Sequence, residues 1–224
     1  DDNQAPTVTG SIVGTSTVLG IPTVTTAAPT ISITSSENGT LAMTNTSCTV
    51  GSSTSIKAGT DNYTLGTYTS DKASIQCTFT VTDAAGNTST AATTQVFSVD
   101  FNAPKVTTVT MDTADNTTSN TIQFDLNTVT DMSTGAGTGT AAYYVKDNSD
   151  NATSIVKPSA SASGWTTISS FTEGTSILDQ SYTLTDRDDN ETKYISVFLK
   201  DNAGNVSDAF QTTFRLGNDT SKPT

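Results

Sequence analysis

Hydrophobic and polar residues alternate strictly from Ile75 to Asp83. Ile75, Cys77, Phe79 and Val81 fall on one side, and Gln76, Thr78, Thr80 and Thr82 on the other. A period of two over that length predicts a β-strand with one face buried and one solvated. The pattern returns at 192–201, where Ile195, Val197 and Leu199 take the apolar side. Shorter runs occur at 31–36, 39–45, 62–69 and 93–99, and again at 121–127, 140–147, 164–169, 180–186 and 210–216. Turn residues separate them. Ala, Leu, Glu and Lys never accumulate at a helical period, so no long helix is expected. The chain reads as all-β, with the stretch Thr15–Thr30 left without an assigned partner.

Two motifs show that the strands form a tandem repeat. Asp-x-x-x-Pro occurs as Asp2 to Pro6, Asp100 to Pro104 and Asp219 to Pro223. VTDAAGNTS carries Asp83, Gly86 and Asn87, and LKDNAGNVS carries Asp201, Gly204 and Asn205. Asp83 precedes Pro104 by 21 residues and Asp201 precedes Pro223 by 22. Two independent motifs that keep one offset imply a repeated unit. The units predicted are 1–99 and 100–218, with 219–224 the linker to a further one, as expected of a segment cut from a longer array. Each proline fixes φ and disfavours helix in the residue before it, so the junctions should be extended. About seven short strands per unit suggest a Greek-key sandwich.

Composition narrows the chemistry. The chain has 224 residues, of which 33% are hydrophobic, and a formal net charge of −12 with no His. Without His there is no Ser–His–Asp triad, His-ligated zinc or axial-His haem. The acidic balance opposes nucleic-acid phosphate, which needs clustered Lys and Arg. No run approaches the roughly 20 apolar residues of a membrane-spanning helix. Thr-rich strands suit a solvated sheet face outside the cell. The two cysteines, Cys48 and Cys77, read there as one disulfide, the alternative being two reduced core thiols.

The linker motif, the following strands and VTDAAGNTS resemble the tandem bacterial immunoglobulin-like repeats of large surface proteins and adhesins. The stretch from GAGTGTAAYYVKD through GWTTIS to YISVFLKDNAGNVS is similar to one common variety. SSENGTL followed by YTSDKASIQCTFTVTDAAGN is similar to another, which carries a disulfide. The resemblance covers essentially the whole chain and implies two tandem immunoglobulin-like Greek-key β-sandwiches at a cell surface. It departs in the missing Cys pair of the second unit and in the long Thr-rich stretch of the first.

In such a sandwich the first strand starts at the end that also carries the B–C and F–G loops. Asp2, Glu37 and Asp83 should then meet in the first unit, and Asp100, Asp131 and Asp201 in the second. Gathered carboxylates repel unless a cation separates them. Calcium, with six to eight oxygen ligands, suits loops of this kind better than magnesium, which demands rigid octahedral geometry. The competing reading is a plain turn in which Asp83 and Asp201 cap their own backbone amides. Asp71 and the acidic turn 186–189 should lie at the opposite end, within reach of the next linker. Asp186 onward lacks the Gly and the terminal Glu of an EF-hand loop.

The functional expectation is a structural module, a stalk, filament or surface-array repeat, stiffened by calcium at its junctions. Its partners would be neighbouring units or copies of itself. One alternative is an adhesive head for a glycan or protein, which a concave patch around Trp165, Tyr143 and Tyr144 would support. Another is an accessory module of a secreted enzyme. Catalysis by the segment itself is not expected, because only carboxylates, Lys and Tyr are available as acids and bases. Open strand edges invite pairing with other chains, and residues 1–30 are the suspected donor strand.

Overall fold

The structure, a computed structural model of the chain, describes residues 2–51, 54–115, 117–131, 139–148, 155–185 and 191–217. The chain forms two compact units, the first ending at Asn102 and the second beginning at Ala103. Every regular element among the described residues is a β-strand.

The second unit shows the plan in its simplest form. Its strands are β12 (Lys105–Met111), β13 (Thr121–Thr130), β14 (Thr140–Asn148), β15 (Thr166–Thr167), β16 (Ile177–Thr183), β17 (Thr192–Asp201) and β18 (Phe210–Arg215). They pair as a three-stranded sheet, β12-β13-β16, and a four-stranded sheet, β15-β14-β17-β18. In immunoglobulin lettering these are A-B-E and C′-C-F-G. The two sheets share one core. Ile122, Phe124 and Leu126 of β13 supply one wall, and Ile195, Val197 and Leu199 of β17 the other. The alternation read from the sequence therefore picks the buried face correctly. A polar tie also joins the sheets: the Tyr182 hydroxyl of β16 donates to Asp147 Oδ1 of β14 at 2.7 Å. Burial and that carboxylate push the phenol well above its ordinary pKa.

The first unit repeats this plan and adds to it. Its strands are β1 (Val8–Val13), β2 (Ser16–Val18), β3 (Ile21–Val24), β4 (Thr30–Ser35), β5 (Gly39–Met43), β6 (Ser55–Ile56), β7 (Gly59–Thr64), β8 (Lys72–Ile75), β9 (Thr78–Thr82), β10 (Ala92–Thr93) and β11 (Phe97–Val99). The sheets β1-β4-β7 and β10-β9-β5-β6 match A-B-E and G-F-C-C′. Ile31, Ile33, Leu41, Phe79 and Val81 are buried between them. Gly10 of β1 makes room for this core, since a Cβ there would stand 2.6 Å from Phe79. Cys48 and Cys77 are disulfide-bonded and fully buried.

A third sheet, β2-β3-β11-β8, has no equivalent of that size in the second unit. It explains the unassigned Thr-rich stretch. Thr15–Thr30 contains a hairpin whose second strand, β3, pairs parallel with β11, Ser98 opposite Thr23. An isolated parallel bridge between Thr117 and Leu216 is the second unit's remnant of the same contact.

Several sequence expectations are corrected here. Residues 1–30 are not a donor strand: β1 pairs with β4 and β3 with β11, both within the first unit. The run 75–83 is not one strand. It breaks before Thr78, because Ser74 takes a φ of +55° and Thr94 holds both backbone groups of Cys77. The Cys77 N–H donates to Thr94 Oγ1 and its carbonyl accepts from the Thr94 N–H. The same anchor splits 93–99 into β10 and β11, which lie in different sheets. The strand placed at 62–69 instead ends at Thr64, where Leu65 turns to bond the Pro29 carbonyl.

Candidate functional site

The D-x-A-G-N turn has the same hydrogen bonds in both units. In the first, the Asn87 backbone N–H donates to Asp83 Oδ1 at 2.8 Å and its side-chain amide to Asp83 Oδ2 at 2.9 Å. In the second, Asn205 makes the same two bonds to Asp201 at 2.8 and 2.7 Å. Gly86 and Gly204 occupy φ values of +94° and +95°, a region that glycine enters without steric cost. Self-capping by the turn aspartates is thus present. The Asn87 amide, and then its backbone N–H, hold the Asp83 carboxyl below the usual carboxylate range.

That shift has a pH consequence. A depressed folded-state pKa means that the turn's stabilisation is complete above the unfolded carboxylate value near 4 and is lost as pH falls through the folded value. A carboxyl-carbon NMR titration of Asp83 should give a midpoint below the roughly 4 of an unperturbed aspartate. A midpoint at that ordinary value would show that the Asn87 bonds do not persist in solution.

Capping does not use up the acidic group. Carboxylate oxygens of Asp2, Glu37 and Asp83 lie within 4.8 Å of one another, and a shallow cleft lined also by Ser36, Asn38 and Ala58 opens above them. Each element delivers its residue for a local reason. Asp2 is set by the linker, where the Asn87 amide donates to the Asp2 carbonyl at 3.2 Å and the Gln4 N–H to Asp2 Oδ1 at 3.0 Å. Glu37 sits in the turn after β4, its N–H donating to Ser35 Oγ and its carbonyl accepting from that hydroxyl. The salt bridges among the described residues, Lys157–Asp208 and Lys193–Glu191, involve none of the three. The donors are all carboxylate oxygens. The set therefore fits a hard cation such as calcium.

The other predicted residues divide between the units. Asp100 is fully buried in the first unit, its N–H donating to the Val24 carbonyl at 2.9 Å. In the second unit Asp131 and Asp201 are both buried and bring carboxylate oxygens within 4.8 Å. The Asp131 N–H donates to both Glu173 oxygens at 3.1 Å, a partner 42 positions away that no local motif signals. Asp71 also finds its expected segment. Its Oδ1 accepts from the Phe101 and Asn102 backbone N–H groups and from the Asn102 amide. Residues 186–189 and 219–224 lie outside the described residues.

A further acidic cluster was not anticipated. Asp112, Asp125 and Asp179 share the outer side of the β12-β13-β16 sheet with carboxylate oxygens within 4.8 Å. Desolvation, and then the Asp125 and Asp179 charges, push Asp112 above its ordinary pKa.

The aromatic patch does not form. Tyr143 is buried edge-on against Phe124, whereas Tyr144 faces the other way and meets Trp165 edge-on. The Trp165 ring is covered by Lys200 Nζ at 4.7 Å, and its indole N–H donates to the Ser159 carbonyl. An adhesive platform built on these three rings is therefore excluded.

No family model matches the chain, and no curated protein matches it. Solved structures give similarities. The D00-D0 domain of intimin is 10% identical over 95% of this chain and 100% of that one, with a TM-score of 0.36. The FN1–FN3 domains of chicken CNTN1 are 9% identical over 95% of this chain and 67% of that one, with a TM-score of 0.32. The BSP domain of a biofilm associated protein is 11% identical over 97% of this chain and 30% of that one, with a TM-score of 0.26. The immunoglobulin-like assignment itself rests on the strand pairing described above.

Proposed function

We propose that the chain is an immunoglobulin-like structural module of an extracellular surface protein, and that calcium bound by its loop carboxylates orders each linker. The observation that supports this reading is the convergence of Asp2, Glu37 and Asp83 within 4.8 Å, with one member supplied by the linker itself. Each carboxylate pair at that distance repels by about 1 kcal/mol in water and about 3–4 kcal/mol at an effective dielectric near 20. An exposed site lies toward the lower figure, so the fold tolerates the cluster while a divalent ion still gains from it. Three carboxylates in open loops correspond to the weak calcium sites of extracellular modules, with Kd on the order of 10⁻⁴–10⁻³ M. The repeat extends the proposal to Asp131 and Asp201 of the second unit, whose carboxylate oxygens lie within 4.8 Å.

The test is thermal unfolding in calcium and in EGTA, alongside calorimetric titration. At about 10–100 times Kd, calcium should stabilise the first unit by about 1.4–2.7 kcal/mol. Glu37→Gln combined with Asp2→Asn should remove the increment and the binding heat while leaving the EGTA melt in place. Identical melts in the two conditions, with no heat on titration, would refute calcium binding and leave a module ordered by its turns alone.

A further inference from the structure

We propose that the cationic outer side of the β15-β14-β17-β18 sheet receives the acidic outer side of the β12-β13-β16 sheet of a second copy of this chain. The contact needs no calcium and involves neither loop cluster. The chain has 10 Lys and Arg against 22 Asp and Glu, yet Lys146, Lys157, Lys200 and Arg215 gather on this one side. Lys146 and Lys200 alternate with Val145 and Leu199, which fill the core, so they project outward from β14 and β17. Arg215 follows the buried Phe214 and takes the same side of β18. Lys157 lies in a segment that crosses over them: Lys146 Nζ donates to the Val156 carbonyl at 2.9 Å, and Lys200 Nζ to the Ala160 carbonyl at 2.9 Å. Rings fix both ammonium groups further, Lys146 Nζ lying 5.6 Å from the Tyr144 ring centre and Lys200 Nζ 4.7 Å from that of Trp165. The charges are therefore placed before a partner arrives, which lowers the ordering cost of binding. An ammonium has three donors, so one carbonyl leaves the others for incoming carboxylates. Asp208 pairs with Lys157 at 3.5 Å and leaves Lys146, Lys200 and Arg215 without a carboxylate among the described residues.

Two observations select the occupant. The first is charge complementarity. The opposite side of the same sandwich carries Asp112, Asp125 and Asp179, with carboxylate oxygens within 4.8 Å and no Lys or Arg paired to them among the described residues. Desolvation and then the two neighbouring charges disfavour the ionised form of Asp112, and an incoming ammonium favours it. The second is apolar surface. Val156 at 75% and Leu178 at 55% are the exposed large apolar side chains of the second unit among the described residues. Each flanks one of the two clusters, Val156 preceding Lys157 and Leu178 preceding Asp179. Every copy thus offers both halves of one contact, charged at its centre and apolar at its margin. An anionic polysaccharide would account for the lysines alone, and the indole it would stack on is covered by Lys200. Because the contact joins two different surfaces, it is heterologous and extends into an open stack unless the rotation between copies closes it.

The experiment is sedimentation velocity of the 224-residue chain across a concentration series in EGTA, at about 100 mM NaCl, where the Debye length is about 10 Å. Species larger than the monomer should accumulate as concentration rises, and the emission of Trp165 should shift with them. Lys146→Glu with Lys200→Glu turns the cationic side acidic, and Asp125→Lys with Asp179→Lys turns the acidic side basic. Each double variant alone should self-associate more weakly by about tenfold or more, because like charges then face each other. An equimolar mixture of the two should associate to about the parent's extent, since each supplies the side that the other has lost. Mixing repairs a charge mismatch and not a folding defect. Where circular dichroism shows a double variant to be misfolded, Lys146→Gln with Lys200→Gln and Asp125→Asn with Asp179→Asn replace the two, and both pairs should weaken association. A chain that stays monomeric throughout, variants that associate like the parent, or a mixture of folded charge-reversed variants that stays dissociated would overturn the proposal. So would lysine-dependent retention on an alginate column without self-association, which would assign the cationic side to an anionic polysaccharide.

Discussion

Replacing Cys48 and Cys77 together by Ala should lower the stability of the first unit by about 3–4 kcal/mol and leave the second unit unchanged. The bond closes a loop of 29 residues, and that loop contains the whole of β6, β7 and β8. In the chain-entropy description, closing such a loop removes much of the freedom of the unfolded chain. Both sulfurs are fully buried, so the change also leaves space in the core. The neighbourhood is built around the bridge. The Cys48 N–H donates to Asn45 Oδ1, the Asn45 amide donates to the Gln76 carbonyl, and Thr94 holds both backbone groups of Cys77. The chain's one tryptophan, Trp165, lies in the second unit. In a urea titration its fluorescence should therefore follow an unshifted transition, while far-ultraviolet dichroism shows a second, earlier one. A single unshifted transition by both probes would mean that the bridge contributes nothing beyond the sheets.

How much of this was legible in the sequence follows from how local each signal is. Phe79 and Val81, or Val197 and Leu199, declare their buried face by alternation alone, because the pleat places residues i and i+2 together. The D-x-A-G-N turn is equally local, with donors and acceptors within five residues, and it reads the same in both units. The β2–β3 hairpin was not legible, because its support comes from Phe97–Val99, more than 70 positions away, and a parallel pairing leaves no turn signature. The break before Thr78 was hidden for a similar reason: it depends on Thr94, not on the alternating run itself. At the candidate site, linker and turn motifs brought Asp2 and Asp83 to attention. Glu173 beside Asp131 and the Asp112, Asp125 and Asp179 group depend on cross-strand register, which residue type does not encode.

Asp71→Ala should destabilise the first unit by about 3 kcal/mol or more, and Asp71→Asn by less. Asp71 is fully buried, and its Oδ1 accepts three N–H groups at 2.9, 3.2 and 2.9 Å. Two of these come from the backbone of Phe101 and Asn102, the segment that follows β11. Alanine would strand those donors away from water, and an unmet buried donor costs about 1–3 kcal/mol. The other carboxylate oxygen, Oδ2, is buried without a hydrogen-bond partner among the described residues. The ionised side chain thus carries a desolvation cost that only one of its oxygens offsets. Asparagine keeps an acceptor at Oδ1 and removes the charge, but it sets an amide NH2 at the buried Oδ2 position, a donor that costs about 1–3 kcal/mol if unmet. The relief of desolvation offsets part of this cost, and the three donors keep their acceptor, so the loss is smaller than for alanine. Hydrogen exchange gives the most direct reading: the Phe101 and Asn102 amides should lose protection in the alanine variant and keep it in the asparagine variant. If the two variants are equally damaging, the negative charge itself is required, and the hydrogen-bond account of Asp71 fails.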